Sequence, residues 1–432
     1  FKKPIEQEFF NLRLRAGRPM TELEFYAKEL TDWETSPERR EMIDGDRYYT
    51  GDHDILKRQR TAIGPDGKLI VIENLPNNRI VDNQYAKHVD QKANYLLGQP
   101  ISFSCENDDY AAEVKKVLGM RFMRTLKSAG VECLNAGISW LYPYYNKNGE
   151  LAFRVFPGYE IMPFWADAAH TELDSALRLY PVEVYYGTEK KIVKKVDLFT
   201  LEGGTSYIFE NGVLTPDTEK QAYVKVKDSK GNEQPLNWER FPLIPIKYNP
   251  KEVPLIRRGR SLQDAINLLQ SDFVNNMEED VRNTVLVLKN YDGQDLGEFR
   301  RNLTTYGAIK VRTVEGTDGG VDSLGNSVNS EDYKTVLELL KKALIENLRS
   351  YDAKDDRLSG TPNQMNIQSM YCDIDLDANA METELQASFE EILWFVNTYL
   401  ANTGKGSYES EDITVIFNRD ILINESEAID NC

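Results

Sequence analysis

Histidine and cysteine are scarce in this chain, three of the one and four of the other. Cys105, Cys133, Cys372 and Cys432 lie far apart and form no CxxC pair, so neither a zinc site nor a disulfide framework is indicated. That usage suits a reducing cytoplasm. Phosphate-binding and nucleophile motifs are missing too: there is no GxxxxGK[ST], no GxGxxG between a strand and a helix, no GxSxG and no HExxH. No apolar run approaches the roughly 20 residues needed to cross a bilayer, and no apolar stretch follows Lys2 and Lys3 as a signal peptide would require. The chain opens on Phe1, and its natural start is expected upstream. Basic charge is in deficit, with 52 Lys and Arg against 70 Asp and Glu and a formal charge of -18. Tight DNA binding draws on displaced phosphate counterions and needs a basic surface. Either nucleic acid is no partner here, or it is one that must not stick.

What is present is enough apolar material, 41% of 432 residues, for two or more packed units. Residues 1 to about 140 read as mostly helical. Ser36-Pro37-Glu38 is an N-cap with a first-turn proline and acid. Val81, Tyr85, Val89, Ala93 and Leu96 predict a helix from Asn78 to Leu97, stopped by Gly98 and Pro100. From 138 to 250 the period changes to that of strands, with Asn148-Gly149, Gly203-Gly204 and Asn211-Gly212 as turns of an antiparallel sheet. Leu262, Ile266, Leu269, Phe273, Met277 and Val281 then mark a helix of about 25 residues, roughly 38 Å long at the standard rise. The β-like stretches "TVLVLKN" and "YGAIKVRTV" follow, then a Gly-rich loop, "EGTDGGVDSLGNS". A second helix starts near Ser330, with Tyr333, Val336, Leu337, Leu340, Leu344 and Leu348 on its apolar face. A third is capped by Thr361 with Pro362 and runs to about Asn402. "ITVIFNRDILI" reads as a closing strand. The fold class is α+β, without a solenoid repeat.

Two clusters look like metal sites. In Asp52-His53-Asp54, consecutive side chains diverge in either regular structure and cannot close on one ion alone; the stretch is read as a solvated turn or helix start. In "DIDLDANAMETE", Asp373, Asp375, Asp377 and Glu384 hold positions 1, 3, 5 and 12 of an EF-hand loop. Ala378 stands where that loop needs glycine, and the helical pattern continues through it, so an acidic helix face or bend is expected. His88 is read as a helix-surface residue. No metal or other cofactor is expected.

Six segments in this order resemble the portal proteins of tailed bacteriophages, in particular the group found in phages and prophages of Gram-positive bacteria. They are "YYTGDHDILKR", "LPNNRIVDNQYAKHVDQKANYLLGQPI", "FPLIPIKYNP", "GRSLQDAINLLQSDF", "RLSGTPNQMNIQ" and "ITVIFNRDI". The resemblance implies a wing over residues 1–258, with a helical first half and an antiparallel β second half. A first stem helix at 259–284, a small α/β clip at 285–329 and a second stem helix at 330–351 come next. A tunnel loop at 352–361, a long helix at 362–403 and a returning wing strand with a short or absent crown at 404–432 complete it. Ser359-Gly360-Thr361-Pro362 departs from the usual small-residue pattern at the long helix's start.

It further implies a ring, usually a dodecamer, at the capsid portal vertex of the virion, assembled in the host cytoplasm. Double-stranded DNA would be packaged and ejected through it, and terminase and a head-tail adaptor would dock on it. Major capsid and scaffolding proteins would be further partners; no membrane is involved and no catalysis is expected. Lys289, Arg300, Arg301 and Arg312 would face terminase or adaptor from the clip. Asp352, Lys354, Asp355, Asp356, Arg357, Ser359 and Gly360 would line the channel. The acidic balance then suits a wall that repels phosphate, with Lys354 and Arg357 as local grips; the same two cations could instead pair with the neighbouring aspartates on a solvated loop. A metal-dependent hydrolase drawing its pocket from distant segments, or another ring-forming structural protein, are the alternatives.

Overall fold

Capping chemistry sets the first two helices. Thr21 and Glu24 close a reciprocal capping box at the start of α1 (Glu22–Glu34). The Ser36 hydroxyl accepts the Arg39 N–H, with Pro37 at the first position of α2 (Pro37–Thr50). The computed structural model of the chain describes residues 20–63, 67–71, 75–227, 233–282, 285–289, 320–324, 330–352 and 364–419. After α2 come β1 (Thr61–Ile63), β2 (Leu69–Val71), α3 (Gln84–Leu97), β3 (Ser102–Cys105), α4 (Asp108–Val117) and α5 (Met120–Ala136). A strand run follows: β4 (Ile138–Tyr145), β5 (Leu151–Phe156), β6 (Ile161–Trp165), β7 (Leu173–Tyr186), β8 (Glu189–Thr200), β9 (Gly203–Glu210), β10 (Val213–Pro216), β11 (Val224–Lys227), β12 (Glu233–Leu236) and β13 (Ile244–Lys247). The rest is α6 (Ile256–Arg282), β14 (Val285–Lys289), β15 (Gly320–Leu324), α7 (Ser330–Asn347), α8 (Gln364–Asn402) and β16 (Ile413–Ile416).

Every strand pair among the described residues is antiparallel, and the fold class is α+β. The larger sheets run β10-β9-β8-β7-β6 and β13-β4-β5. Asn211 and Gly212, both at positive φ, make the tight β9-β10 turn that their sequence announces. Phe25, Leu30 and Trp33 of α1 pack on one face of the five-stranded sheet, against Phe164, Leu177 and Val196. Trp140 and Phe156 meet Trp165, Ala176 and Phe199 in a second core, with Trp140 stacked on Trp165 at 5.7 Å. The closing strand pairs with β3, from the mostly helical first part of the chain.

The chain forms two units. One comprises Phe1–Asp52, Asn83–Arg260 and Leu344–Cys432; the other comprises His53–Asp82 and Ser261–Ala343. In the second unit the buried face of α6 is polar. Gln263, Asn267, Ser271 and Asn275 recur every four residues, and all four are wholly buried. They hold an extended strand of backbone. The Asn78 N–H donates to Asn275 Oδ1 at 2.7 Å, Ile80 N–H to Ser271 Oγ at 2.9 Å, and Asp82 N–H to Asn267 Oδ1 at 3.0 Å. Gln263 Nε2 donates to the Asp82 carbonyl at 2.7 Å. The registers match because one helical step of four residues rises about 6.0 Å and two extended residues span about 6.6 Å. His53 Nδ1 lies 2.7 Å from Asn267 Nδ2. Since the Asp82 N–H claims the amide oxygen of Asn267, the amide nitrogen is left to donate to His53.

Several expectations are corrected by this ladder. The helix predicted from Asn78 begins at Gln84 with Asn83 as its cap, because the 78–82 backbone is drawn out along α6. His53 is buried rather than solvated, although Asp54 does open a short 3-10 turn at Asp54–Lys57. Met277, one of the apolar residues that mark α6 in the sequence, is exposed, as is Val336 of α7. Part of the Gly-rich loop is a strand: Gly320–Leu324 pairs with Val285–Lys289 in register from Val285↔Leu324 to Lys289↔Gly320. Alternating Val321, Ser323 and their neighbours can extend despite the flanking glycines once a Val/Leu-rich strand supplies the ladder. "YGAIKVRTV" lies outside the described residues.

Asn267→Ala removes the acceptor of the Asp82 N–H and the partner of His53 together. The expected loss is about 2–3 kcal/mol for buried groups left unsatisfied, read from urea unfolding. Faster amide exchange at Ile80 and Asp82 should accompany it, with no change at amides of the five-stranded sheet.

Candidate functional site

Of the residues expected to line a channel, Asp352 is described and is partly buried at the end of the turn that follows α7. Lys354, Asp355, Asp356, Arg357, Ser359 and Gly360 lie outside the described residues, as do the clip residues Arg300, Arg301 and Arg312 and the cap expected at Thr361. Lys289 ends β14, its backbone opposite Gly320. The geometry that can be built is therefore the root from which the 352–361 segment leaves.

That root is held from α3. Arg349 takes a left-handed conformation, φ 50°, unusual for a residue with a Cβ. It ends the helix with Ser350 N–H bonded to the Ile345 carbonyl. Lys92 Nζ donates to the Arg349 carbonyl at 3.0 Å and Gln91 Nε2 to the Tyr351 carbonyl at 3.3 Å. Tyr351 lies against Tyr371 of α8, 4.8 Å between centroids, and Tyr371 stacks on Tyr95 of α3 at 5.7 Å. Gly259, near the start of α6, sits where any Cβ would come within 2.9 Å of Leu344 of α7 and of Leu348 in the turn after it.

One carboxylate joins these parts. Asp377 of α8, 5% exposed, accepts from Lys92 Nζ at 2.7 Å, Tyr248 Oη at 2.6 Å and Arg258 Nη1 at 3.1 Å. Arg349 Nη1 lies 3.7 Å away. Burial pushes the Asp377 carboxyl up, but Lys92, Tyr248 and Arg258 more than offset it and hold the group below the usual carboxylate range. Burial also drives the Lys92 ammonium down, against the pull of Asp377. With three cations around one carboxylate, the ionised pair is the state the geometry serves.

The acidic run that imitates a calcium loop is thus a continuous helix, but not merely an acidic face: Asp377 is the buried centre of an ion network. Asp375 meets Tyr95 Oη and Arg419. Among the described residues no group of three or more His, Cys, Asp or Glu side chains converges as a metal set. His88, expected on the helix surface, is 1% exposed. Burial, with smaller pushes from Lys87 and Lys92, takes its pKa down to about 4, against the Gln91 hydrogen bond and Asp352.

Two helices that leave and re-enter a buried ionic junction, with a β pair between them, define an α+β class of protein. Residues 33–432 match the family model described as phage portal protein, SPP1 Gp6-like, and the chain belongs to that family. It is 29% identical over 390 residues to the portal protein of Bacillus phage SPP1, covering 90% of this chain and 76% of that protein. It is 25% identical over 404 residues to the portal protein of Clostridium phage phiCD119, covering 91% and 85%.

Two measurements check the junction. Asp377→Ala leaves Lys92 buried without its counter-charge and should cost about 3–5 kcal/mol in urea unfolding, whereas pairing it with Lys92→Met should restore most of that loss. Simple additivity of the two changes would contradict the pairing. For His88, the unfolded chain takes up a proton near pH 6.5 and the folded chain only near 4. Its contribution is therefore full above about 6.5 and lost as pH falls toward 4, by at most about 1.4 kcal/mol per pH unit. Glu132, pushed up to about 7 by burial and by Asp46 and Glu160, acts in the opposite sense, so the difference from His88→Asn isolates the histidine. The variant should show a shallower decline between pH 6.5 and 5.

Proposed function

We propose that this portal protein assembles as a dodecameric ring at the capsid vertex, through which double-stranded DNA enters and leaves. The match over residues 33–432 carries the reading. In it, terminase and a head-tail adaptor dock on the clip, 285–329, through Lys289, Arg300, Arg301 and Arg312. Major capsid and scaffolding proteins surround the wing, and the subunits assemble in the host cytoplasm without catalysing a reaction. The paired stem helices are 259–284 and 330–351, a reading supported by the lengths of α6 and α7 and by the β14-β15 pair between them. Residues 352–361 are the tunnel loop, with Asp352, Asp355, Asp356, Ser359 and Gly360 on the wall and Lys354 and Arg357 as its grips. A chain of net charge -18 gains little from counterion release, so DNA slides rather than sticks.

Negative-stain images of the purified protein should show rings with a central hole. Those rings should bind duplex DNA only weakly even at low salt. Lys354→Ala with Arg357→Ala should leave rings intact and lower DNA packaging or retention in assembled heads, while Lys289→Ala and Arg312→Ala should affect retention less. Nanomolar duplex binding with a steep salt slope would overturn the low-adhesion reading. Normal packaging by the double variant would overturn the loop assignment.

A further inference from the structure

The two larger sheets have four edges, and three are closed to further pairing. Strand β6 carries Pro163 and a register shift at Phe164/Trp165. Strand β10 carries Pro216 and lies beside α1. Strand β13 carries Pro245, whose carbonyl accepts from Ser388 Oγ of α8 at 2.7 Å. Proline, irregularity and cover are the usual means by which an edge is kept from recruiting a further strand. The fourth edge has neither proline nor a register shift, although α5 packs against the same strand through Phe122 and Phe153. Strand β5, Leu-Ala-Phe-Arg-Val-Phe over Leu151–Phe156, pairs in unbroken register with β4 and, among the described residues, with no other strand. Its composition is that of a good strand, without proline.

Space lies along this edge. A cavity of about 600 Å³ is lined by Glu150, Leu151, Ala152 and Phe153 in succession. Met120, Phe122 and Thr125 of α5 and Tyr144 of β4 line it as well, so it lies between the tip of the β4-β5 hairpin and that helix. Farther along, Arg154 and Phe156 line a second cavity of about 300 Å³ with Tyr142, Phe199 and Tyr223. The far wall of the first includes Lys116, Arg121 and Lys405. Lys116 and Lys405 meet Glu113. Arg121 and Arg154 are exposed and, among the described residues, form no ion pair with a carboxylate; Arg154 lies over the Tyr144 ring. On a chain of net charge -18 this is a local cationic border.

We propose that β5 is a docking edge for an extended, acidic segment of another polypeptide. The segment pairs with β5 as an added strand, seats alternate side chains in the two cavities and sets carboxylates against Arg121 and Arg154. Main-chain hydrogen bonds supply affinity in this mode, and the pockets and charges supply selection. The surface is separate from the clip contacts proposed for terminase, so its failure leaves the portal reading untouched.

The probe is a dye-labelled eight-residue peptide of alternating valine and glutamate, added to the full chain and followed by anisotropy and amide exchange. Binding with slowed exchange confined to Leu151–Phe156 is expected, and the same peptide with lysine for glutamate should bind at least tenfold more weakly. Arg121→Glu with Arg154→Glu, both at exposed positions, should weaken the acidic peptide at least tenfold without shifting the unfolding midpoint. Equal binding of the lysine peptide, protection elsewhere, or unchanged affinity in the double variant would overturn the proposal. So would protection of the same strand on raising protein concentration alone, which would make its occupant a second copy of this chain.

Discussion

Arg258 and Arg349, far apart in the chain, both approach the buried carboxylate of Asp377, at 3.1 and 3.7 Å. The chain passes out of its first unit near Arg260 and returns near Leu344, and within that unit one buried group on α8 brings residues from before and after the excursion together. Lys92 ties α3 to the same point and, through its second bond, holds the Arg349 carbonyl in a left-handed turn. A buried ion pair is weak support for stability as such, since apolar groups of equal volume often serve as well. Its distinction is directional. Three cations and one phenol can converge on two oxygens in few arrangements, and each arrangement specifies the meeting angle of the elements that carry them.

The second unit meets a different requirement by different means. Its extended segment, 78–82, has backbone N–H groups that must find acceptors once buried, and neutral Asn and Ser side chains on α6 provide them at the segment's own spacing. A β partner would do the same, but only with a further strand; the helix does it with one face. The cost is that the face cannot be apolar, which leaves Leu268 and Met277 of the same helix exposed.

This trade explains what the sequence could and could not tell. Local chemistry was readable: Ser36-Pro37, Asn148-Gly149 and Asn211-Gly212 form the cap and turns expected of them, and the change of period near residue 138 marks the start of the sheets. The buried face of α6 was not, because apolar periodicity looks for Leu and Ile and passes over Gln263, Asn267, Ser271 and Asn275. Their regular spacing of four was the available signal. Asp377 was hidden for another reason. Its partners lie 285, 129 and 119 residues away, and locally it is one of several acids in a helix. Asp352 of the candidate loop was reachable from family resemblance, while the grip of Gln91 and Lys92 on its root was not, since neither residue type nor spacing distinguishes them from surface helix residues.

Both devices leave the surface charge free. The Asp377 network is buried, where salt screens it little, and the α6 ladder is neutral, so neither needs a particular charge balance outside. A fold held this way can carry an excess of 18 negative charges at the expense of some self-repulsion but without disturbing its own joints. Acidic residues can then be placed wherever phosphate is to be kept from adhering.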